Sequence, residues 1–206
     1  MNSSKGFTII EIVISIFILS FAVVGIFSAF SVVVILTSDS ADQLTATYLA
    51  QEGMEIVRNI RDTNWLNMDA PGGSDDVYGS DDNFYFQDCG KTGCEIDYTT
   101  TGSVSNPVKP YSSADYLNID KDGFYRDSAG GAPTKFERKI IVTPITDIGE
   151  ILDPNKRHII KVTVQVSWDE KANILNSGYL ANDCEAGKNC IITEETLYDW
   201  YNYVNH

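Results

Sequence analysis

Read as a pattern of apolar and polar positions, the chain begins with a short polar leader ending in Lys5-Gly6, and a lone carboxylate, Glu11, follows at once. From Ile12 to Ser38 there is no charged residue. Ile and Val dominate this run, among them Ile12, Val13, Ile14, Val23, Val24, Val32 and Val33, and small residues such as Ser15, Ser20, Gly25, Ser28, Ala29 and Ser31 interrupt them. An uncharged apolar stretch of this length reads as a membrane-spanning helix. Helical rise makes Ile12 to Leu36 about 37 Å long, against a hydrocarbon core of about 30 Å. The small residues would let neighbouring helices approach closely in lipid.

The helix is predicted to continue beyond the membrane. Ser40 to Leu66 contains no proline and only one glycine, Gly53. Leu49, Ile56, Val57 and Ile60 recur at helical spacing, with Leu44 and Tyr48 preceding them, while Gln51, Glu52, Glu55, Arg58, Asn59 and Asp62 supply a polar side. Such an amphipathic segment needs a partner surface over its apolar stripe. Ala70-Pro71-Gly72-Gly73 is the stop signal. The resulting helix would run for roughly 55 to 60 residues.

Residues 69–133 then turn rich in Gly, Ser, Asp, Asn and Tyr, with short strand candidates at Phe84–Phe86 and Glu95–Thr100. Tyr116–Ile119 and Phe124-Tyr125 flank Asp120-Lys121-Asp122-Gly123, a hairpin signal. Phe136–Thr143 places Phe136, Ile140 and Val142 on one face. Ile160, Val162, Val164, Val166 and Trp168 alternate with Lys161, Thr163, Gln165 and Ser167, as in a half-buried antiparallel strand. Cys190–Trp200 is a third, less regular strand expected near a sheet edge. One long helix followed by an antiparallel sheet is an α+β class.

Gly6-Phe7-Thr8-Ile9-Ile10-Glu11 resembles the bacterial prepilin processing motif, a Gly followed by Phe-Thr-x-x-Glu. By that motif the chain is identified as a member of the type IV pilins and the related pseudopilins of type II secretion and DNA uptake. The resemblance implies a leader of residues 1–6, a transmembrane and filament-core helix over 7–37, an amphipathic continuation over 38–68 and an extracytoplasmic head over 69–206. It implies that prepilin peptidase, a membrane enzyme, cuts after Gly6 and methylates the new amino terminus at Phe7. Glu11 would then pair with the Phe7 ammonium of a neighbouring subunit and set axial register in the filament. The implied partners are other pilins or pseudopilins and the inner-membrane assembly platform. The implied location is the cytoplasmic membrane, single-pass with the head outside, and then a cell-surface or periplasmic filament. The apolar run lacks the proline that many major pilins carry, which leans towards a minor pilin or pseudopilin. Asp-Gly-Phe-Tyr at 122–125, Thr134-Lys135-Phe136 and Val164-Gln165-Val166-Ser167-Trp168 also resemble PilV-like minor pilins.

The residues themselves agree with this orientation. A secretory signal places its small cleavage residues after the apolar segment, whereas Gly6 precedes it, so cleavage keeps the helix. Lys5 lies on the N-terminal side, which favours a cytoplasmic start. A carboxylate at the edge of lipid is costly without a partner, so Glu11 reads as functional rather than as a snorkelling side chain.

Net charge is −14 with a pI near 4.4. An acidic head is a poor surface for nucleic acid, which needs clustered Lys and Arg. The four cysteines form two tight pairs, Cys89 with Cys94 and Cys184 with Cys190. Their gaps are wider than the usual zinc spacing, and an extracytoplasmic head favours disulfides. Of three possible connectivities the local one, 89–94 and 184–190, is expected. Asn118, Asp120 and Asp122 match the front half of a calcium loop, but Ala129 stands where its bidentate Glu belongs, so a hairpin turn is favoured. The acidic run Asp69, Asp75, Asp76, Asp81 and Asp82 reads as exposed loop. The histidines, His158 and His206, stand without a nucleophile or carboxylate motif, so no enzyme and no cofactor are expected. The competing function class is a membrane-anchored extracytoplasmic binding or adhesin domain, with the helix as a simple tether.

Overall fold

The computed structural model describes residues 6, 8–66, 86, 89–90, 92–100, 108–113, 115–127, 130–145, 159–169 and 189–198. Helix α1 runs unbroken from Ile9 to Leu66. Eight strands follow: β1 (Cys94–Glu95), β2 (Lys109–Pro110), β3 (Asn118–Ile119), β4 (Tyr125–Arg126), β5 (Ala132–Pro133), β6 (Phe136–Pro144), β7 (Ile159–Trp168) and β8 (Asn189–Tyr198). The chain forms two compact units, Met1–Leu44 and Thr45–His206, and α1 contributes to both.

In the second unit, five strands make an antiparallel sheet in the order β2-β1-β6-β7-β8. A small antiparallel sheet, β4-β3-β5, stands beside it in sequence. The β6–β7 register sets Phe136 opposite Trp168, Arg138 opposite Val166, Ile140 opposite Val164 and Val142 opposite Val162. Strand residues two apart share a face, so these eight side chains form one inner surface. The core joins that surface to Ala46, Leu49, Ala50, Met54, Val57 and Ile60 of α1. The predicted α+β arrangement of a long helix on an antiparallel sheet is the observed one.

The buried stripe of α1 differs in detail from the expected one. Leu49, Val57 and Ile60 are buried, but Leu44 and Tyr48 are exposed, and Ala46, Ala50, Gly53 and Met54 take the inner positions instead. At 100° per residue, Leu44 and Tyr48 fall on the opposite side of the helix from the centre of that stripe. Gly53 marks its closest approach to the sheet. A β-carbon there would lie 3.1 Å from Arg138 Cδ, 3.1 Å from Val164 Cγ1 and 3.3 Å from Ile140 Cδ1.

Two strand expectations need correction. Glu95–Thr100 keeps only Glu95 in a strand, because Asp97 folds the next residues into a turn. Its Oδ1 accepts the Thr99 N–H at 2.8 Å and the Thr99 hydroxyl at 2.6 Å. Phe86 is buried but lies outside any strand, and Phe84 and Tyr85 lie outside the described residues. The hairpin at 118–126 forms as expected, with Asn118 opposite Arg126 and Ile119 opposite Tyr125. Gly123 closes it at φ 90°, a conformation glycine adopts without steric cost.

Candidate processing and assembly site

The start of α1 is built by the residues of the N-terminal motif. Thr8 occupies the N-cap position: its carbonyl accepts the N–H groups of Glu11 at 3.1 Å and Ile12 at 3.3 Å, and its hydroxyl lies 3.4 Å from the Glu11 nitrogen. Thr-x-x-Glu is the capping-box pattern, and Glu11 carries its carboxylate in the first turn, where the helix dipole favours negative charge. Gly6 is exposed, and a β-carbon added there meets no atom within 4 Å. Among the described residues, no packing contact demands glycine at this position. Phe7 lies outside the described residues.

The helix that follows is long and apolar enough to cross a membrane, and none of the residues in its most apolar window is buried. Ile9, Phe27 and Phe30 are among many large apolar side chains left exposed. Five of its hydroxyls are satisfied within the helix. Ser15, Ser20, Ser31, Thr37 and Ser40 each donate to the carbonyl four residues earlier, at 2.7–3.0 Å. Polar groups satisfied within the helix carry little penalty in lipid, where an unmet donor costs several kcal/mol.

The head is tied to its segment of α1 by charged groups. Arg138 projects from the inner face of β6 with a fully buried side chain. It donates to the carbonyls of Leu49 (3.3 Å) and Ile96 (2.8 Å). Glu52 Oε2 lies 3.6 Å and Asp127 Oδ2 4.0 Å from the same guanidinium. Burial pushes the Asp127 carboxyl up to about 6 despite Arg138, and burial likewise pushes Glu95 up to about 7. Asp97, though also buried, is held below the usual carboxylate range by the hydrogen bonds from Thr99 and the Asp127 N–H. A second tie joins Arg58 of α1 to both oxygens of Glu195 on β8, at 2.8 and 2.7 Å. The parity of β6 is the signal that could have found Arg138, since position 138 shares the face of Phe136 and Ile140.

Other expected site residues fall as follows. Cys89 and Cys94 are bonded, with Cα atoms 4.9 Å apart and both side chains buried. Cys190 at the start of β8 is also in a disulfide; the expectation for Cys184 lies outside the described residues. Asn118, Asp120 and Asp122 lie in the β3–β4 hairpin. Asp120 Oδ1 accepts the N–H groups of Asp122 (2.9 Å) and Phe124 (3.0 Å), Asp120 Oδ2 accepts the Tyr98 hydroxyl (2.7 Å), and Asp122 pairs with Lys121. Asn118 donates to the Tyr116 carbonyl at 3.1 Å. These oxygens serve the turn, and among the described residues no cluster of His, Cys, Asp or Glu is arranged to hold a metal. His158, His206 and the acidic run from Asp69 to Asp82 lie outside the described residues.

No curated protein and no solved structure matches the chain. Residues 1–27 match the family model described as the prokaryotic N-terminal methylation motif. The chain thus carries the type IV pilin signature on its first 27 residues, at the start of a long apolar helix that leads into an antiparallel sheet.

Proposed function

We propose that this type IV pilin-like protein is a minor pilin or pseudopilin, cut after Gly6, methylated at Phe7 and built into a pilus or secretion pseudopilus. The observation that carries this reading is the N-terminal segment itself: a glycine the fold does not require, a capped helix start and a charge-free exposed helix. A glycine without a local packing reason fits recognition by another molecule, here prepilin peptidase. Cleavage would leave an ammonium on Phe7, close to the positive end of the helix dipole. Glu11 is the counter-charge, and in a filament the Glu11 of one subunit meets the Phe7 ammonium of the next. The helix anchors the chain in the cytoplasmic membrane with the head outside, from where the assembly platform would draw it into a filament of other pilins.

Glu11→Ala separates filament docking from anchoring. Removing a charge eases insertion, and Gly6-Phe7 remains, so membrane levels and cleavage stay at wild-type values. Recovery of the variant in sheared filaments falls by about tenfold or more, because a lone ammonium is left in lipid. Equal recovery of the two proteins in the filament fraction refutes the pairing role and leaves the helix as a simple tether.

A further inference from the structure

Tyr98 and Phe124 form an exposed aromatic pair on the head. Their ring centroids lie 5.2 Å apart, and the side chains are 45 % and 57 % exposed. Single exposed apolar residues are ordinary. These two touch, and Tyr98 is held in place. The Tyr98 hydroxyl donates to Asp120 Oδ2 at 2.7 Å, and the Arg126 guanidinium lies 5.8 Å from the Tyr98 ring centroid. The turn carrying Tyr98 is closed by Asp97, and the Thr100 hydroxyl accepts the Asp97 N–H at 3.1 Å. A ring held in advance loses little freedom on contact with a ligand.

Tyr98 and Thr100 form one wall of an open cleft of about 500 Å³. The other wall is α1, where Glu52, Glu55, Asn59 and Asp62 follow one another along a single helix face. This row of planar hydrogen-bonding groups extends for about 15 Å. Each carboxylate already has a cation: Glu52 faces Arg138, Glu55 faces Arg58 and Asp62 faces Arg61. Arg58 is further engaged by Glu195. Asn59 is exposed, and its side-chain amide makes no hydrogen bond among the described residues.

We propose that this cleft binds a neutral oligosaccharide. A sugar ring offers a C–H face to an aromatic platform and a rim of hydroxyls to carboxylate and amide groups. An anion would meet three carboxylates, and the one cation lining the cleft, Arg58, is already paired with Glu55 and Glu195. A purely apolar ligand would desolvate those groups without pairing them. A basic peptide would find the carboxylates already neutralised by Arg58, Arg61 and Arg138. The proposal does not rest on assembly into a filament.

The test uses the full chain in a zwitterionic detergent free of sugar. It is titrated with chitotriose, cellotriose, maltotriose and, as the basic-peptide control, pentalysine, and binding is followed by ligand-observed NMR. At least one trisaccharide should bind saturably. Tyr98→Ala should weaken it about tenfold, since a buried aromatic contact is lost. Asn59→Ala should weaken it about fivefold, the loss of one hydrogen bond. Tyr98→Phe keeps the ring and should stay within about threefold of wild type. Asn59 is exposed, so its variant carries the test even if Tyr98→Ala unfolds. Absence of saturable binding by all three sugars overturns the proposal. So does affinity unchanged in both Tyr98→Ala and Asn59→Ala, or displacement of the sugar by pentalysine.

Discussion

Glu95 and Asp127 give the head its response to acid. Both are buried, and burial raises both carboxyls, to about 7 and about 6. The groups facing them are Arg138, Asp97, Lys109, Glu52 and Asp115. A raised carboxyl binds its proton more tightly in the folded chain than in the unfolded one. That contribution to stability is complete below the unfolded range, near pH 4, and is lost as pH rises through about 6 and 7. Asp97, Asp120 and Glu194 act oppositely: they are depressed, so their contribution is present above about pH 4 and lost only in stronger acid. The head should therefore be more stable near pH 5 than near pH 8, by ~1–2 kcal/mol. Thermal unfolding at the two pH values measures this, and a combined Glu95→Gln/Asp127→Asn variant should flatten the difference. A midpoint that rises from pH 5 to pH 8 in the wild type would show the sign to be wrong.

At the scale of the element, the meeting of α1 with β6 and β7 depends on a missing side chain. Gly53 costs α1 about 1 kcal/mol of helix propensity relative to Ala. It leaves the space through which Arg138 reaches the Leu49 carbonyl one turn earlier. Gly53→Leu should destabilise the head by ~1–3 kcal/mol through overpacking. Arg138→Met should cost ~3–5 kcal/mol, because Asp127 and two carbonyls lose a buried partner. Both changes break the same contact, so together they should cost less than their sum. Denaturation of the wild type, the single variants and the double variant measures this, and strict additivity would refute the coupling.

Elements also show what could be read in advance. β7 was legible because Ile160, Val162, Val164, Val166 and Trp168 alternate with polar residues, but the expected half-buried strand is buried further than that, since Ile159, Gln165 and Ser167 on the other face are buried too. The two-residue strands β1, β2 and β5 were not, since two residues carry no period and their pairing depends on distant β6 and β3. Asp97 misled because it lies in a strand-like run while its side chain caps a turn. Arg138 was hidden for the opposite reason. A cation in an apolar alternation reads as an outward residue, and only the packed helix carbonyls reveal its partner. The N-terminal motif was legible because it is contiguous in sequence, and its Thr8 caps the helix start through local backbone geometry.

At the scale of the molecule, one chain holds two chemically opposite surfaces. The first unit exposes an apolar helix in which Ser15, Ser20, Ser31, Thr37 and Ser40 donate to the helix's own carbonyls. The second buries its core under a sheet and belongs to a chain of net charge −14. A chain of this kind requires lipid or other helices around its first unit, and the type IV pilin signature lies on that unit. Under the proposed function, maturation at Gly6-Phe7 would join membrane storage to assembly, because cleavage would create the ammonium that Glu11 is proposed to neutralise. Intact-mass and N-terminal analysis of the protein from its native membrane measures that event directly. The expected mature chain begins at Phe7 with one methyl group on its amine, and Gly6→Val should accumulate the uncut form. A mature chain that retains Met1 to Gly6, in cells whose prepilin peptidase is active on other pilins, would contradict it.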